Sequence, residues 1–546
     1  MSKQKIADYL FERIKKKGVD YTFGIPGDFV LPHYAAQARS GLKTVVMTHE
    51  PAVGFAADAY GRMKGLGVAL VTYGAGGLNI ANATALAYAE ESPLLVISGS
   101  PETRFRKGKA QLHHCVKSFD TQFNVFKEVS ETQVLIDNPA SAQASIDKVF
   151  NSIQKTSRPG YIEMARDMVN AEFDVHDSAP DASQAESPAV HAAVREIVER
   201  LSHSKQPVLF AGAHIRRFNL LPKVVSIAEA LNLPVVTSIL GKASFPESHP
   251  NFVGTYFGRF GEPSIREYVE SSDCVVCLGV VLTEMETGGY SAELPAQKLI
   301  LANAHETTIG HHNYADVDLR TLVDQFLIAS TSGALKGKRF TIPKFDTPSF
   351  DHTPKADDLN VGYMLDHLNK AIDDRFAIVS DVGDCLYAGL SLKTDVFVAA
   401  GYYSSMGFGV PAGIGVQLAA PHLRSLILVG DGGFQMTGME IGTAVRLGIN
   451  PIVIVFNNSS YAMLRFIDQK RDYYDLGNWK YAEIAKAVGA KSMRAQTKKE
   501  FDQALKESFA SDAPYLIDAV ISETDISPTL KRLTDHFGAK VRASIS

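Results

Sequence analysis

The stretch GDGGFQMTGMEIGTAVRLGINPIVIVFNNSSYAM, residues 430–463, sets a carboxylate, Asp431, on a glycine-rich turn and ends an apolar run with two amides, the second being Asn458. A carboxylate, an amide carbonyl and a main-chain carbonyl are the hard oxygen donors that Mg²⁺ takes. The glycines let backbone N–H groups approach a phosphate, and a helix N-terminus favours its charge. The same residues also suit an ordinary αβ turn capped by Asp and Asn. Three further places carry acid–base side chains: Asp28 in GIPGDF, Glu50 in THEPAVGFAADAYGR, and His113 with His114 in LHHC. Histidines exchange protons near neutrality without a large shift in affinity. The plain alternatives are a turn acid, an acid at a helix start and a chance histidine pair.

The elements around these residues are those that would bring them together. Residues 426–429 and 451–456 read as buried strands, with helical spacing over 439–447 between them. Strand, tight turn, helix, strand is one right-handed crossover. Both strands then end at the same edge of a parallel sheet, where ligands bind, so Asp431 and Asn458 should meet. Glu50 follows the strand-like VVMT and opens an alanine-rich helical run. Asp28 follows the strand-like YTFGI.

Apolar strand-like runs alternate with helical segments along all 546 residues. The expected fold class is α/β, with three domains, each a mostly parallel central sheet flanked by helices. Two polar, proline-containing stretches, 172–189 and 335–360, read as linkers, giving domains at 1–172, 190–335 and 360–546. A formal net charge of −5 points to neither a nucleic-acid nor a membrane surface, and no apolar run approaches the ~18 residues of a spanning helix. The start MSKQKIADYLFERIKKKG reads as an amphipathic helix without a signal core, its lysines near the helix C-terminus. Four cysteines make no disulfide scaffold. Cys274 and Cys277 fall on opposite faces of an apolar strand and read as buried structural residues, not zinc ligands, consistent with a cytoplasmic setting.

GDGG followed by NN across a helix and a strand resembles the diphosphate- and Mg²⁺-binding motif of thiamin-diphosphate enzymes. The three-domain layout resembles their pyruvate decarboxylase-like group over essentially the whole chain. The resemblance implies cofactors thiamin diphosphate and Mg²⁺, with metal ligands Asp431, Asn458 and the main-chain carbonyl of Ser460, where relatives often have glycine. It assigns further cofactor contacts to Thr72, Gly383, Asp384, Gly430, Gly432, Gly433, Tyr461, Ala462 and Met463, and the apolar wedge beneath the cofactor to Met406. Glu50 matches the glutamate that assists the cofactor's aminopyrimidine, a role that burial would favour. Asp28, His113 and His114 match the decarboxylases' proton-relay and substrate-orienting groups. The family's active site lies between two copies, so the resemblance implies a homo-oligomer, a dimer or a dimer of dimers.

Leu464 stands where pyruvate and indolepyruvate decarboxylases carry a glutamate, and the phenylpyruvate decarboxylase branch resembles this sequence there. The reading is a carboxy-lyase that converts 2-oxo acids to aldehydes and CO2, with Leu464 lining an apolar substrate pocket for aryl side chains such as those of phenylpyruvate or indolepyruvate. The alternatives are a carboligase of the synthase type, a branched-chain 2-oxo acid decarboxylase, and a non-enzymatic cofactor-binding regulator. Arg216, Arg217 and Glu284 read as surface and linker charges, with a part in substrate activation as the alternative the resemblance raises.

Overall fold

The computed structural model describes residues 2–106, 110–176, 188–345, 357–468 and 471–545. Its three large sheets follow the expected α/β plan. The first has six parallel strands in the spatial order Lys43–Val46, Tyr21–Gly24, Gly67–Val71, Leu94–Ser100, Gly160–Ala165 and Thr132–Ile136. The second runs Phe252–Thr255, Val235–Thr237, Pro207–Ala211, Cys274–Leu278 and Leu299–Ala302 in parallel, then adds Thr307–Ile309 and His312–Tyr314 antiparallel at one edge. The third is parallel throughout: Phe397–Ala399, Phe376–Ser380, Arg424–Gly430, Ile452–Asn457, Tyr515–Val520 and Lys491–Ala495. Central strands such as Gly67–Val71 and Ile452–Asn457 are buried along their whole length because helices cover both faces, hence their unbroken apolar runs.

The chain packs as two compact units. One joins residues 1–183 with 403–421 and 437–447; the other holds 184–402, 422–436 and 448–546. In the first unit the helix Glu50–Lys64 packs on the helix Gly409–Ala419. A Cβ on Gly415 would lie 2.1 Å from the Ala56 carbonyl oxygen, so the small residues are what let the two backbones touch. The buried Arg62 pairs with Asp58 (2.6 Å) and Glu90 (2.9 Å) in the same unit.

Four local expectations change. The N-terminus does not start as helix: Ser2–Lys5 is a strand paired antiparallel with Glu172–Val175, and the helix begins at Ile6. Residues 172–175 are therefore strand, not linker, because each segment supplies the other's backbone hydrogen bonds. Residues 177–187 and 346–356 of the two expected linkers lie outside the described residues. Within the second stretch, Leu335 and Phe340 are buried in the central core, and the Asn232 amide donates to Phe340 O at 2.8 Å. Arg216 is no surface charge: its guanidinium donates to the carbonyls of Ala243 (2.6 Å) and Asp395. Cys274 and Cys277 are buried in hydrophobic clusters on opposite sheet faces, as alternation requires.

Candidate active site

The second unit gathers the oxygen donors. Strands Arg424–Gly430 and Ile452–Asn457 are parallel neighbours with Gly430 level with Phe456, so Asp431 and Asn458 leave the sheet at the same edge. Asp431 Oδ1 accepts from Gly432 N–H at 2.9 Å, whereas its buried Oδ2 has no hydrogen-bond partner. Burial pushes this carboxyl up to about 6, against the backbone N–H groups of Gly432, Ser459, Ser460 and Asn458, which favour its charge. Asn458 Oδ1 accepts from Ser460 N–H at 3.1 Å. The left-handed residue of this turn is Ser459 (φ 55°) and not Ser460, so serine at position 460 carries no backbone strain.

The glycines do not form an open loop. The helix Asp431–Thr437 starts directly at the end of the strand, a 3-10 turn Gly438–Glu440 follows, and the helix expected over 439–447 runs Ile441–Leu447. Close approach explains two glycines in a helix. A Cβ on Gly432 would lie 2.4 Å from the Tyr461 ring, and one on Gly433 would lie 3.1 Å from the Asp381 carboxyl.

The first unit gathers the acid–base groups. Glu50 opens the helix Glu50–Lys64, half-buried, and its Oε2 accepts from Asn79 Nδ2 at 2.7 Å. The preceding turn is anchored by buried Glu440, which accepts from Thr48 N–H (2.8 Å) and Oγ–H (2.6 Å). Thr72 lies close by, its Oγ1 buried without a partner. A Cβ on Gly76 would sit 3.2 Å from the Thr72 methyl and 3.4 Å from Glu50 Oε1. Asp28 Oδ2 and His113 Nε2 are 2.8 Å apart, and His114 Nδ1 is 3.0 Å from Tyr73 O. A ring nitrogen of each histidine and an Asp28 oxygen all lie within 4.8 Å of one another. Phe29 stacks on His113 with centroids 4.8 Å apart.

Three family descriptions match consecutive parts of the chain: thiamine pyrophosphate enzyme N-terminal TPP binding domain at residues 4–123, central domain at 194–329, and C-terminal TPP binding domain at 381–519. An indole-3-pyruvate decarboxylase of Azospirillum brasilense is 39% identical over 538 residues, covering 97% of each chain. The chain belongs to the thiamin-diphosphate-dependent, pyruvate decarboxylase-like family. Alpha-keto-acid decarboxylases of Mycolicibacterium paratuberculosis and Mycobacterium tuberculosis are 29% and 28% identical over 542 and 544 residues, 97% of this chain and 96% of theirs. The protein is a carboxy-lyase acting on 2-oxo acids, and its two terminal domains are thiamin-diphosphate-binding. Among the described residues no helix is long and apolar enough to cross a membrane.

The enzyme's residues fit its cofactor. An orphaned, buried carboxylate oxygen on Asp431, with the backbone of Asn458, Ser459 and Ser460 close to the same carboxyl, suits a hard divalent ion. The orphaned Thr72 hydroxyl is a second unsatisfied polar atom at an expected contact. Gly383 (φ 78°) has open space around its Cβ position, as does Gly430. Met406 is half-buried in the first unit, next to Ser405, whose Oγ accepts from Asn82 Nδ2 at 2.9 Å. Tyr461 packs against Gly432, and Ala462 is buried.

Two of the expected side chains are engaged in hydrogen bonding or packing of their own. Asp384 is half-buried, and both its oxygens are taken by the backbone N–H (2.9 Å) and hydroxyl of Ser527, so its carboxylate ties down the segment before the C-terminal helix. Met463 packs on the cluster of Phe257, Tyr387 and Leu530. Leu464, on the helix Ala462–Ile467, is 47% exposed. Sequence reasoning missed Asn79, Gln122 and Glu440, each polar and remote in sequence from the residue it holds, and Asp381, whose carboxyl lies against Gly433; only their occurrence in or beside apolar runs hinted at burial.

Proposed function

We propose that this enzyme decarboxylates 2-oxo acids with large apolar side chains, aryl ones such as phenylpyruvate and indolepyruvate foremost, to the aldehyde and CO2. The observation that carries the reading is Leu464, an apolar side chain left 47% exposed at the position where the resemblance gives pyruvate and indolepyruvate decarboxylases a glutamate and the phenylpyruvate branch none. The indole-3-pyruvate relative, 39% identical, supports it.

Asp431, Asn458 and the Ser460 carbonyl would hold Mg²⁺ against the cofactor diphosphate. Bound thiamin diphosphate supplies the electron sink for the pair left when CO2 departs. Glu50, with Oε2 held by Asn79, keeps Oε1 to share a proton with the cofactor's pyrimidine. Asp28 and His113, hydrogen-bonded at 2.8 Å, orient the substrate carboxylate and pass a proton between them. His114, with Nδ1–H held by a carbonyl, presents Nε2 as the atom that takes up a proton and passes it to the product carbon. Met406 would wedge beneath the cofactor. A second copy of the chain completes the site, in a dimer or a dimer of dimers.

Steady-state aldehyde release from phenylpyruvate, indolepyruvate, 2-oxoisovalerate and pyruvate, with thiamin diphosphate and Mg²⁺, tests the reading. Higher kcat/KM for the aromatic acids is expected, and a preference for pyruvate would overturn it.

A further inference from the structure

Behind His114 lies a buried hydrogen-bond chain that the proposed mechanism does not use. His114 Nδ1 faces the Tyr73 carbonyl at 3.0 Å, and a carbonyl only accepts, so Nδ1 carries the ring proton. The N–H of the same Tyr73–Gly74 peptide donates to Gln122 Oε1 at 2.7 Å. A single peptide group therefore accepts from His114 on one side and donates to Gln122 on the other. The backbone there is tightly constrained: Gly74 has φ 69°, and a Cβ on it would lie 2.1 Å from the His114 carbonyl oxygen.

The amide of Gln122 has one allowed orientation. Its Nε2 donates to Ser98 Oγ at 2.9 Å and to Tyr161 Oη at 2.6 Å. Both hydroxyl protons are already engaged, Ser98's on Gly99 O (3.0 Å) and Tyr161's on Glu163 Oε2 (2.9 Å), so both oxygens must accept. The other Glu163 oxygen is paired with Arg106, which also reaches Asp120 at 2.9 Å. Gln122 and Glu163 are essentially free of solvent contact, and Tyr161 is clamped by Phe126, stacked at 3.9 Å.

We infer that Gln122, oriented by Tyr161 and Glu163, is a positioning residue that fixes the proton of His114 on Nδ1 through the Tyr73–Gly74 peptide and so keeps Nε2 available for proton transfer. The inference rests on the role proposed above for His114. Hydrogen bonds in series polarise one another, so the Tyr161–Glu163–Arg106 end of the chain strengthens the contact at the histidine. A second ring tautomer would set two lone pairs against each other at Tyr73 O. The charged groups around the histidine are Asp28 and His113 beside it, and Arg166 over the Phe29 ring at 5.8 Å; none of them opposes this arrangement at Nδ1.

The test is Gln122→Met, which keeps the side-chain length and removes both amide functions, with Tyr161→Phe as the milder variant that keeps the Phe126 stack. In holoenzyme labelled with ¹⁵N-histidine, the His114 signal, assigned by its loss in His114→Gln, reports the tautomer directly. The parent is expected to show Nδ1–H alone and Gln122→Met a mixture. Its kcat should fall roughly fivefold or more with KM changed less than about twofold, and a limb of the kcat–pH profile should move by about half a unit or more. Tyr161→Phe should shift the same readouts less, and it carries the test alone if Gln122→Met does not fold. A single Nδ1–H tautomer with the parental pH profile in a folded variant overturns the inference. Parental kcat in His114→Gln overturns instead the role of His114, whatever the tautomer shows.

Discussion

Glu163→Gln is expected to uncover a pH dependence of stability that the parent enzyme hides. Burial raises Glu163 from 4.5 to about 7, against the pull of Arg106, Tyr161 and Gln122. Between these values the folded chain holds a proton that the unfolded chain has released, so stability falls as pH rises through the window. His33 does the opposite. It is fully buried, and burial lowers it from 6.5 to about 4, against the opposing pull of the Met164 and Val30 backbone. There the unfolded chain binds the extra proton, so stability rises with pH. At about 1.4 kcal/mol per pKa unit, each group contributes a change of ~3 kcal/mol, with opposite signs over an overlapping range. Both lie in the first unit, and the parent should be nearly flat from about pH 4.5 to 6.5 in this pair's contribution. Glu163→Gln leaves the His33 slope alone, so the variant should gain ~2–3 kcal/mol relative to the parent across that range. Hydrogen exchange of amides in Leu94–Ser100 and Gly160–Ala165, corrected for intrinsic rates, reads the unfolding free energy of the unit concerned. A difference between variant and parent that does not change with pH would show that Glu163 titrates as it does in water, and the argument would fail.

Glu50→Gln should keep the fold and slow deuterium exchange at the cofactor's C2, with kcat down by roughly 100-fold or more; exchange at the parental rate would remove Glu50 from that role. Asp431→Ala should weaken thiamin diphosphate binding at fixed Mg²⁺ by roughly tenfold or more, read by cofactor titration, and unchanged affinity would put the metal elsewhere. Leu464→Glu should lower the aromatic-to-pyruvate ratio of kcat/KM by roughly fourfold to tenfold, since a ring's burial against leucine is worth about 1.5–3 kcal/mol and half of it suffices. An unchanged ratio would point the substrate side chain at another wall.

The sequence by itself determined the architecture and the chemistry on offer. Runs such as SLILV and PIVIVF are apolar throughout and bounded by glycine, proline or polar residues, which marks strands buried on both faces, and their alternation with helices admits few topologies. From that crossover alone Asp431 and Asn458 had to share a sheet edge, and they do. Where the signal depends on partners far along the chain, the sequence was silent. Ser2–Lys5 has no strand pattern of its own and becomes one because Glu172–Val175 completes its hydrogen bonds. Gly432 and Gly433 argue for a turn, since glycine disfavours helix, yet a side chain on Gly432 would run into the Tyr461 ring and one on Gly433 would crowd the Asp381 carboxyl. Gln122 reaches Gly74, Ser98 and Tyr161, which are 48, 24 and 39 residues away, and nothing periodic connects them. Periodicity and propensity act over a few residues, whereas burial and hydrogen-bond partnership exist only once the sheets have assembled. The types of the acid–base residues could therefore be read directly, while the groups that orient them, Asn79 at Glu50 and Gln122 behind His114, were decided by the tertiary structure.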